Sequence, residues 1–322
     1  MDGEGVERER GMSKEELDKE YSPSQWCVRL TPDTVVQDHC DKLKRGSDEA
    51  RQKFKEGGSA ACELGVSHSE GGKEEASVDI FWDERQQQQQ QQQKGEEGEG
   101  EQEEAAKVAP VVAYIHGGYW QALSLGSSSW FAPLWVRERG CVVCPVGYDL
   151  CPTVSMEVLL EQVRNGIALI ARRFPGRKLF VVGHSAGGHL CGMVAVTDWS
   201  QYGLPATTVA GIAAVSGVFD LEQLQRTYVN DACKMTPESA AALSPVRHAS
   251  RVPKDMRVII AVGENESPAF HRMAREYNDS LVRAGVSQCT WMMLPKEDHF
   301  TAIERLDDAS YPLTRAIWEM MA

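Results

Sequence analysis

The sequence predicts an α/β protein with a mostly parallel central sheet, and three observations carry that reading. From residue 111 onward, short β-branched runs alternate with longer amphipathic stretches, the pattern of strands joined by crossover helices. One of these runs, Lys178-Leu-Phe-Val-Val182, passes through a glycine-flanked turn directly into a helical stretch. The chain has 322 residues, enough for a full core, and no apolar run nears the length that spans a bilayer, roughly 18–20 residues.

Residues 1–20 are charged and lack an apolar period, so a disordered acidic tail is expected there, followed by a single domain over 21–322. Tyr21-Ser-Pro-Ser-Gln-Trp26 is the first segment with groups worth burying. Residues 33–56 read as a helix of mixed charge and 57–75 as a Gly-, Ser- and Glu-rich loop. In Ala76–Trp82, Val78, Ile80 and Trp82 share one face of a half-buried strand. Gln86–Gln93 and a Gly/Glu stretch then form a low-complexity insertion at about 84–107. It cannot bury a core and is expected to join two neighbouring strands. Strands follow at 111–115, 141–146, 178–182, 209–215, 257–262 and 289–294. Helices are expected at 127–138, 155–173, 186–198, 268–284 and 301–321.

Charge narrows the function. Asp and Glu total 47 against 34 Lys and Arg, a net charge of −13. Residues 1–107 hold 27 acidic and 15 basic side chains, so −12 of that balance lies in the front third. No basic stripe offers itself to nucleic acid. The opening MDGEGVERERGMSKEE is too charged for a signal peptide and too acidic for a transit peptide. Nine scattered cysteines suit free thiols in a reducing compartment. Together these predict a cytoplasmic protein that does not enter a membrane.

The chemistry centres on Gly183-His184-Ser185-Ala186-Gly187. A G-x-S-x-G turn between strand and helix lifts the serine hydroxyl to a helix start, where amides and the helix dipole favour negative charge. Ser185 is therefore the expected nucleophile. Upstream, a strand runs into His116-Gly117-Gly118-Tyr119-Trp120. Paired glycines let bare amides face a site where an oxyanion develops. Gly117, Gly118 and Tyr119, with Ala186 after the serine, are the expected oxyanion hole, and His116 is expected to orient that loop. Among the histidines, His299 alone follows the last strand and precedes the last helix, at the sheet edge where a base must stand. His39 and His68 lie in the weakly patterned front third. His184 and His189 are tied to the nucleophile turn and its helix. The acid that orients the base could be Glu264, Glu266 or Asp220, and spacing does not separate the two glutamates. Asp298 reads as solvated or structural. The order serine, acid, histidine is that of α/β-hydrolases.

A narrower resemblance follows from HGGYWQ, GYDLCP, GHSAGGHL, TDW, SGVFDLE, ESPAFHR and EDHF. With these words the chain closely resembles the eukaryotic kynurenine formamidases, or arylformamidases, from about residue 76 to the end. The resemblance selects Glu266, in Glu266-Ser-Pro-Ala-Phe270, as the acid, and it selects His299 as the base. The family's acid is often Asp, so Glu266 is a departure with a longer side chain. The resemblance implies hydrolysis of N-formyl-L-kynurenine to L-kynurenine and formate in tryptophan catabolism, with no cofactor, and it suggests a homodimer. Tyr119 and Trp120 are the expected wall for the aromatic leaving group.

Two other readings compete. A broad carboxylesterase of the hormone-sensitive-lipase-like type would use the same triad. A binding protein that has lost the histidine is disfavoured by the presence of His299. Cys141-Val-Val-Cys144 has zinc-like spacing but lies in a strand, where its side chains point to opposite faces, so no metal is expected.

Overall fold

The computed structural model describes residues 3–68, 76–85 and 109–322. Eight described strands form one sheet: β1 (Ala60–Ser67), β2 (Ser77–Asp83), β3 (Val111–Ile115), β4 (Val142–Val146), β5 (Leu179–His184), β6 (Val209–Val215), β7 (Arg257–Gly263) and β8 (Gln288–Leu294). Their order is β1-β2-β4-β3-β5-β6-β7-β8. β2 runs antiparallel to β1 and β4, and every pairing from β4 to β8 is parallel. The alternation of apolar runs and amphipathic stretches thus yields the expected α/β architecture.

The parallel strands are apolar on both faces because helices cover both. On one face Val111, Ala113, Ile115 and Val181 pack with Leu159, Ile167, Leu190, Phe270 and Leu281. On the other, Val112, Tyr114, Phe180 and Val182 pack with Leu43, Phe54, Trp135 and Ile317. Cys144 belongs to the first layer and Cys141 to the second, so the pleat separates the two thiols. All nine cysteines are free.

Several expectations need correction. Residues 3–20 are not a tail without structure: they form α1 (Gly3–Arg10) and α2 (Lys14–Glu20). Ser13 and Glu16 close a capping box at the start of α2, and Leu17 is fully buried. The apolar period was missing because most of the anchoring is ionic or hydrogen-bonded: Arg10 pairs with Glu222 at 3.1 Å, and Arg226 donates to the carbonyls of Glu9 and Met12. The long helix appears as α3 (Pro32–Lys55). Within the stretch read as loop, residues 60–67 form the edge strand β1. Its exposed, bulged pairing with β2 hides the alternation. The insertion lies mostly outside the described residues. The strands on its two sides, β2 and β3, share a sheet but are not neighbours, since β4 stands between them.

The remaining helices are α4 (Ala132–Arg139), α5 (Met156–Arg173), α6 (Ala186–Ala195), α7 (Asn230–Cys233), α8 (Pro237–Ala242), α9 (Pro268–Arg283), α10 (Thr301–Glu304) and α11 (Pro312–Met321). The helix expected over 301–321 is two, because Pro312 pushes Tyr311 out of the helical region; its φ is −66° and ψ 129°. α11 ends at the amino side of the sheet, where Arg257, the first residue of β7, donates to the Met320 carbonyl at 2.6 Å. Among the described residues no helix is long and apolar enough to cross a membrane.

Candidate active site

The carboxyl ends of β3, β5, β6, β7 and β8 place the chemistry side by side. β5 ends at His184, and Ser185 takes φ 55° and ψ −117° before α6 begins at Ala186. Positive φ on a side-chain-bearing residue is strained and is held by its surroundings. Here the Ser185 amide donates to the Val215 carbonyl at 2.9 Å, and the Ser185 carbonyl receives the His189 amide at 3.0 Å. Ala186 is the first residue of α6, so its amide has no intrahelical acceptor.

β3 delivers His116–Trp120 against this turn. A Cβ on Gly117 would lie 2.9 Å from the His184 carbonyl oxygen and 3.1 Å from Ser185 Cβ, so only glycine lets the loop come this close. Gly118 has φ 94°, and a Cβ there would run into the Ala122 carbonyl. Among the described residues, no backbone carbonyl receives the amides of Gly117, Gly118 or Tyr119. His116 Nδ1–H donates to the Gly117 carbonyl at 2.9 Å. Its ring stacks on Tyr148 at 4.3 Å, and the Tyr148 hydroxyl donates to the His116 carbonyl. Burial pushes the His116 imidazole down to about 4, so it is neutral at pH 7 and serves the loop as a hydrogen-bond donor.

Glu266 and His299 meet. His299 Nδ1 lies 2.7 Å from Glu266 Oε2, and both residues are buried. The other carboxylate oxygen, Oε1, receives the Ser216 hydroxyl at 2.6 Å and the Gly263 amide at 2.7 Å. Donating Nδ1–H to the carboxylate leaves Nε2 of His299 as the basic nitrogen. Glu264 is exposed and receives the Lys296 amide at 2.7 Å. Asp220 lies in a different loop and receives the Glu222 amide. The geometry thus pairs only Glu266 with His299. Asp298 is fully buried and not solvated. Burial would raise its carboxyl, but hydrogen bonds from Thr301, Cys27 and Phe300 outweigh that and hold it below the usual range.

Sequence reasoning missed several residues. Ser216 follows β6 in a left-handed conformation, φ 51°; a lone serine after a strand carries no motif. His184 donates from Nε2 to the His299 carbonyl at 2.8 Å. Burial, then the neighbouring His299 and His39, drive its imidazole well below the ordinary value. His39, set aside with the front third, is buried 5.2 Å from the Phe300 ring and joins Glu304 at 2.7 Å. Trp120 requires a correction. It has no exposed surface and packs edge-on against His189 at 5.0 Å, so it supports the loop from inside and offers no wall to a ligand. Tyr119 is half-buried. Among the described residues no cluster of three or more His, Cys, Asp or Glu could hold a metal.

Known proteins are similar to this chain at two levels. A family model described as the alpha/beta hydrolase fold matches residues 112–302. A protein named kynurenine formamidase from Salmo salar is 34% identical over 98% of this chain and 99% of its own length. Its counterpart in Danio rerio is 33% identical over 97% and 98%. By contrast, the hormone-sensitive lipase of Bos taurus is 25% identical over 37% of this chain and 18% of its own. Among solved structures, a protein from Silicibacter sp. TM1040, provisionally called a thioesterase, superposes with a TM-score of 0.71 at 26% identity, covering 94% of this chain and 98% of its own.

Proposed function

The chain belongs to the kynurenine formamidases of the α/β-hydrolase fold, and on that premise we propose that Ser185, His299 and Glu266 hydrolyse N-formyl-L-kynurenine to L-kynurenine and formate. The observation that carries the proposal is the 2.7 Å Glu266–His299 pair set beside the strained serine turn and the glycine loop. His299 takes the Ser185 proton as the oxygen attacks the formyl carbon. The amides of Gly117, Gly118, Tyr119 and Ala186 receive the oxyanion. His299 then protonates the departing aryl amine, and a water activated by the same imidazole releases formate. Glu266 holds the tautomer throughout, and Ser216 and Gly263 hold Glu266.

The substrate suits this site. An anilide nitrogen shares its lone pair with the ring and leaves more readily than an alkyl amine. A formyl group needs almost no acyl pocket, and Ser185 is itself only 3% exposed. Selectivity then rests on the leaving group, with Tyr119 as the nearest aromatic wall. The longer Glu in place of the family's frequent Asp is accommodated because Oε1 is fixed by two donors while Oε2 reaches the imidazole.

The test compares kcat/KM for N-formyl-L-kynurenine and p-nitrophenyl acetate, with Ser185→Ala as control. We expect strong preference for formylkynurenine and loss of turnover in the variant. Equal or better ester turnover would move the assignment to a broad carboxylesterase with the same triad. Activity surviving in Ser185→Ala would overturn the mechanism.

A further inference from the structure

Three consecutive residues of the glycine loop, Gly118, Tyr119 and Trp120, have left-handed backbone, with φ of 94°, 50° and 58°. Only the first is glycine. Such a run persists only where its surroundings over-determine it. Besides the bonds from the Gln121 and Ala122 amides to the Gly118 carbonyl, the restraints come from far along the chain. The Cys151 amide donates to the Trp120 carbonyl at 2.8 Å. The Gln121 side chain donates to the Val229 carbonyl at 2.9 Å. The Tyr119 hydroxyl donates to the Tyr21 carbonyl at 2.7 Å.

The last of these leads to a segment that also touches the other two catalytic loops. Glu20 Oε2 receives the Ala269 amide at 3.1 Å, in the first turn of α9 just after Glu266. Cys27 donates from Sγ to Asp298 at 3.1 Å, beside His299. The fully buried Tyr21 donates its hydroxyl to Glu9 Oε2 at 2.9 Å. Glu9 grips Arg272 on α9 through two bonds of 2.7 Å. One stretch, Glu9–Cys27, therefore holds the glycine loop, the acid loop and the histidine loop at once.

We propose that this stretch is a positioning element of the catalytic centre, and that the bond from the Tyr119 hydroxyl to the Tyr21 carbonyl is the tie that aims the oxyanion amides. The proposal rests on the roles given above to Ser185 and the glycine loop. An amide aimed at the oxyanion acts mainly in the transition state, when the oxygen gains its charge, so loosening the tie lowers kcat and leaves KM nearly unchanged.

Tyr119→Phe keeps the ring and removes only the donor. Deleting an oxyanion donor outright costs roughly 10²–10³-fold; misaiming one should cost about 10-fold in kcat, on formylkynurenine and on p-nitrophenyl acetate alike. Binding of phenylboronic acid, which forms a tetrahedral anion on a serine oxygen, should weaken by the same factor, with KM within about 2-fold. Leu17→Ala loosens the stretch at a buried position outside the loop. Its kcat loss should largely vanish in the Tyr119→Phe background, because both act through one tie. Unchanged kcat and boronate affinity in Tyr119→Phe would overturn the proposal. So would a rise in KM alone, which would make the Tyr119 hydroxyl, and not only its ring, a substrate contact. Additive losses in the double variant would also overturn it. A wild type active on the ester but not on formylkynurenine would sink the substrate assignment alone, and the Tyr119 comparison would still be decided on the ester.

Discussion

The acid–histidine half of the site and the oxyanion half are secured in different ways. Glu266 is held by Gly263 and Ser216, and His299 by Glu266 and His184, all at the ends of adjoining strands β5 to β8. The sheet register itself places these groups. The glycine loop is held by the Cys151 amide and by Tyr21 and Val229, the last two 98 and 108 residues distant from the side chains they receive. Its strained backbone has no sheet partner to fix it. One half is therefore fixed by the fold's core, whereas the other depends on a few loop ties, two of them made by side chains that can be cut singly. Loss of the carboxylate in the first should nearly abolish turnover, and loss of one tie in the second should only grade it.

The largest contrast comes from Glu266→Gln. It keeps the shape but holds the wrong imidazole tautomer, and kcat should fall roughly 10³–10⁴-fold with folding intact. Retention of more than a tenth of the activity would mean that the acid–histidine half tolerates loss of its charge. Next is Arg272→Leu, which leaves Glu9 and Glu276 without their buried partner. Stability in urea should drop by about 3–5 kcal/mol. The Arg272 guanidinium is held above its ordinary value because the Glu9 bonds outweigh the opposing effect of burial. An unchanged urea midpoint would show that the front segment is not anchored through this pair.

Ser216→Ala removes one of two donors to Glu266 Oε1. A bond to an ionised group contributes about 1.5–3 kcal/mol, so kcat/KM should fall about 10–100-fold, measured on formylkynurenine. No loss would mean that Gly263 alone suffices.

The smallest effect compares the two halves directly, because each leans on a buried neutral histidine. His184 donates to the His299 carbonyl, and His116 to the Gly117 carbonyl. Burial lowers both below their unfolded value of about 6.5. Below that pH the unfolded chain binds protons that the folded chain refuses, so stability falls as pH drops. For His116 the loss runs from about 6.5 to about 4. His116→Gln should flatten the stability–pH slope by about 1.4 kcal/mol per pH unit within that window. An unaltered slope between pH 6 and 5 would show that His116 is already charged in the folded protein.

Legibility in the sequence follows the same division. Ser185 and His299 were readable because a strand, a turn and a helix are local patterns. Glu266 was not separable from Glu264 by spacing; the family resemblance chose it, and burial against exposure is what distinguishes the two in space. Ser216 was invisible because its role arises only when β6 and β7 lie side by side. Residues 3–20 looked like a tail because their anchors, chiefly Arg272, Arg226 and Glu222, lie more than 200 residues away, and charge pairs leave no apolar period. Trp120 looked like a ligand wall because an aromatic beside a glycine loop reads the same whether it faces inward or outward.

The two ends of the chain sit differently with respect to the site. α11 finishes under the amino end of β7, where Arg257 and, from the end of α4, Arg139 donate to its last carbonyls. Glu9 and Tyr21 sit in the network around the catalytic loops. Tethering the protein to a bead or an electrode through Ala322 therefore holds it at the amino side of the sheet, away from the strand ends that carry Ser185. A bulky fusion before α1 pulls directly on the segment that aims the oxyanion loop.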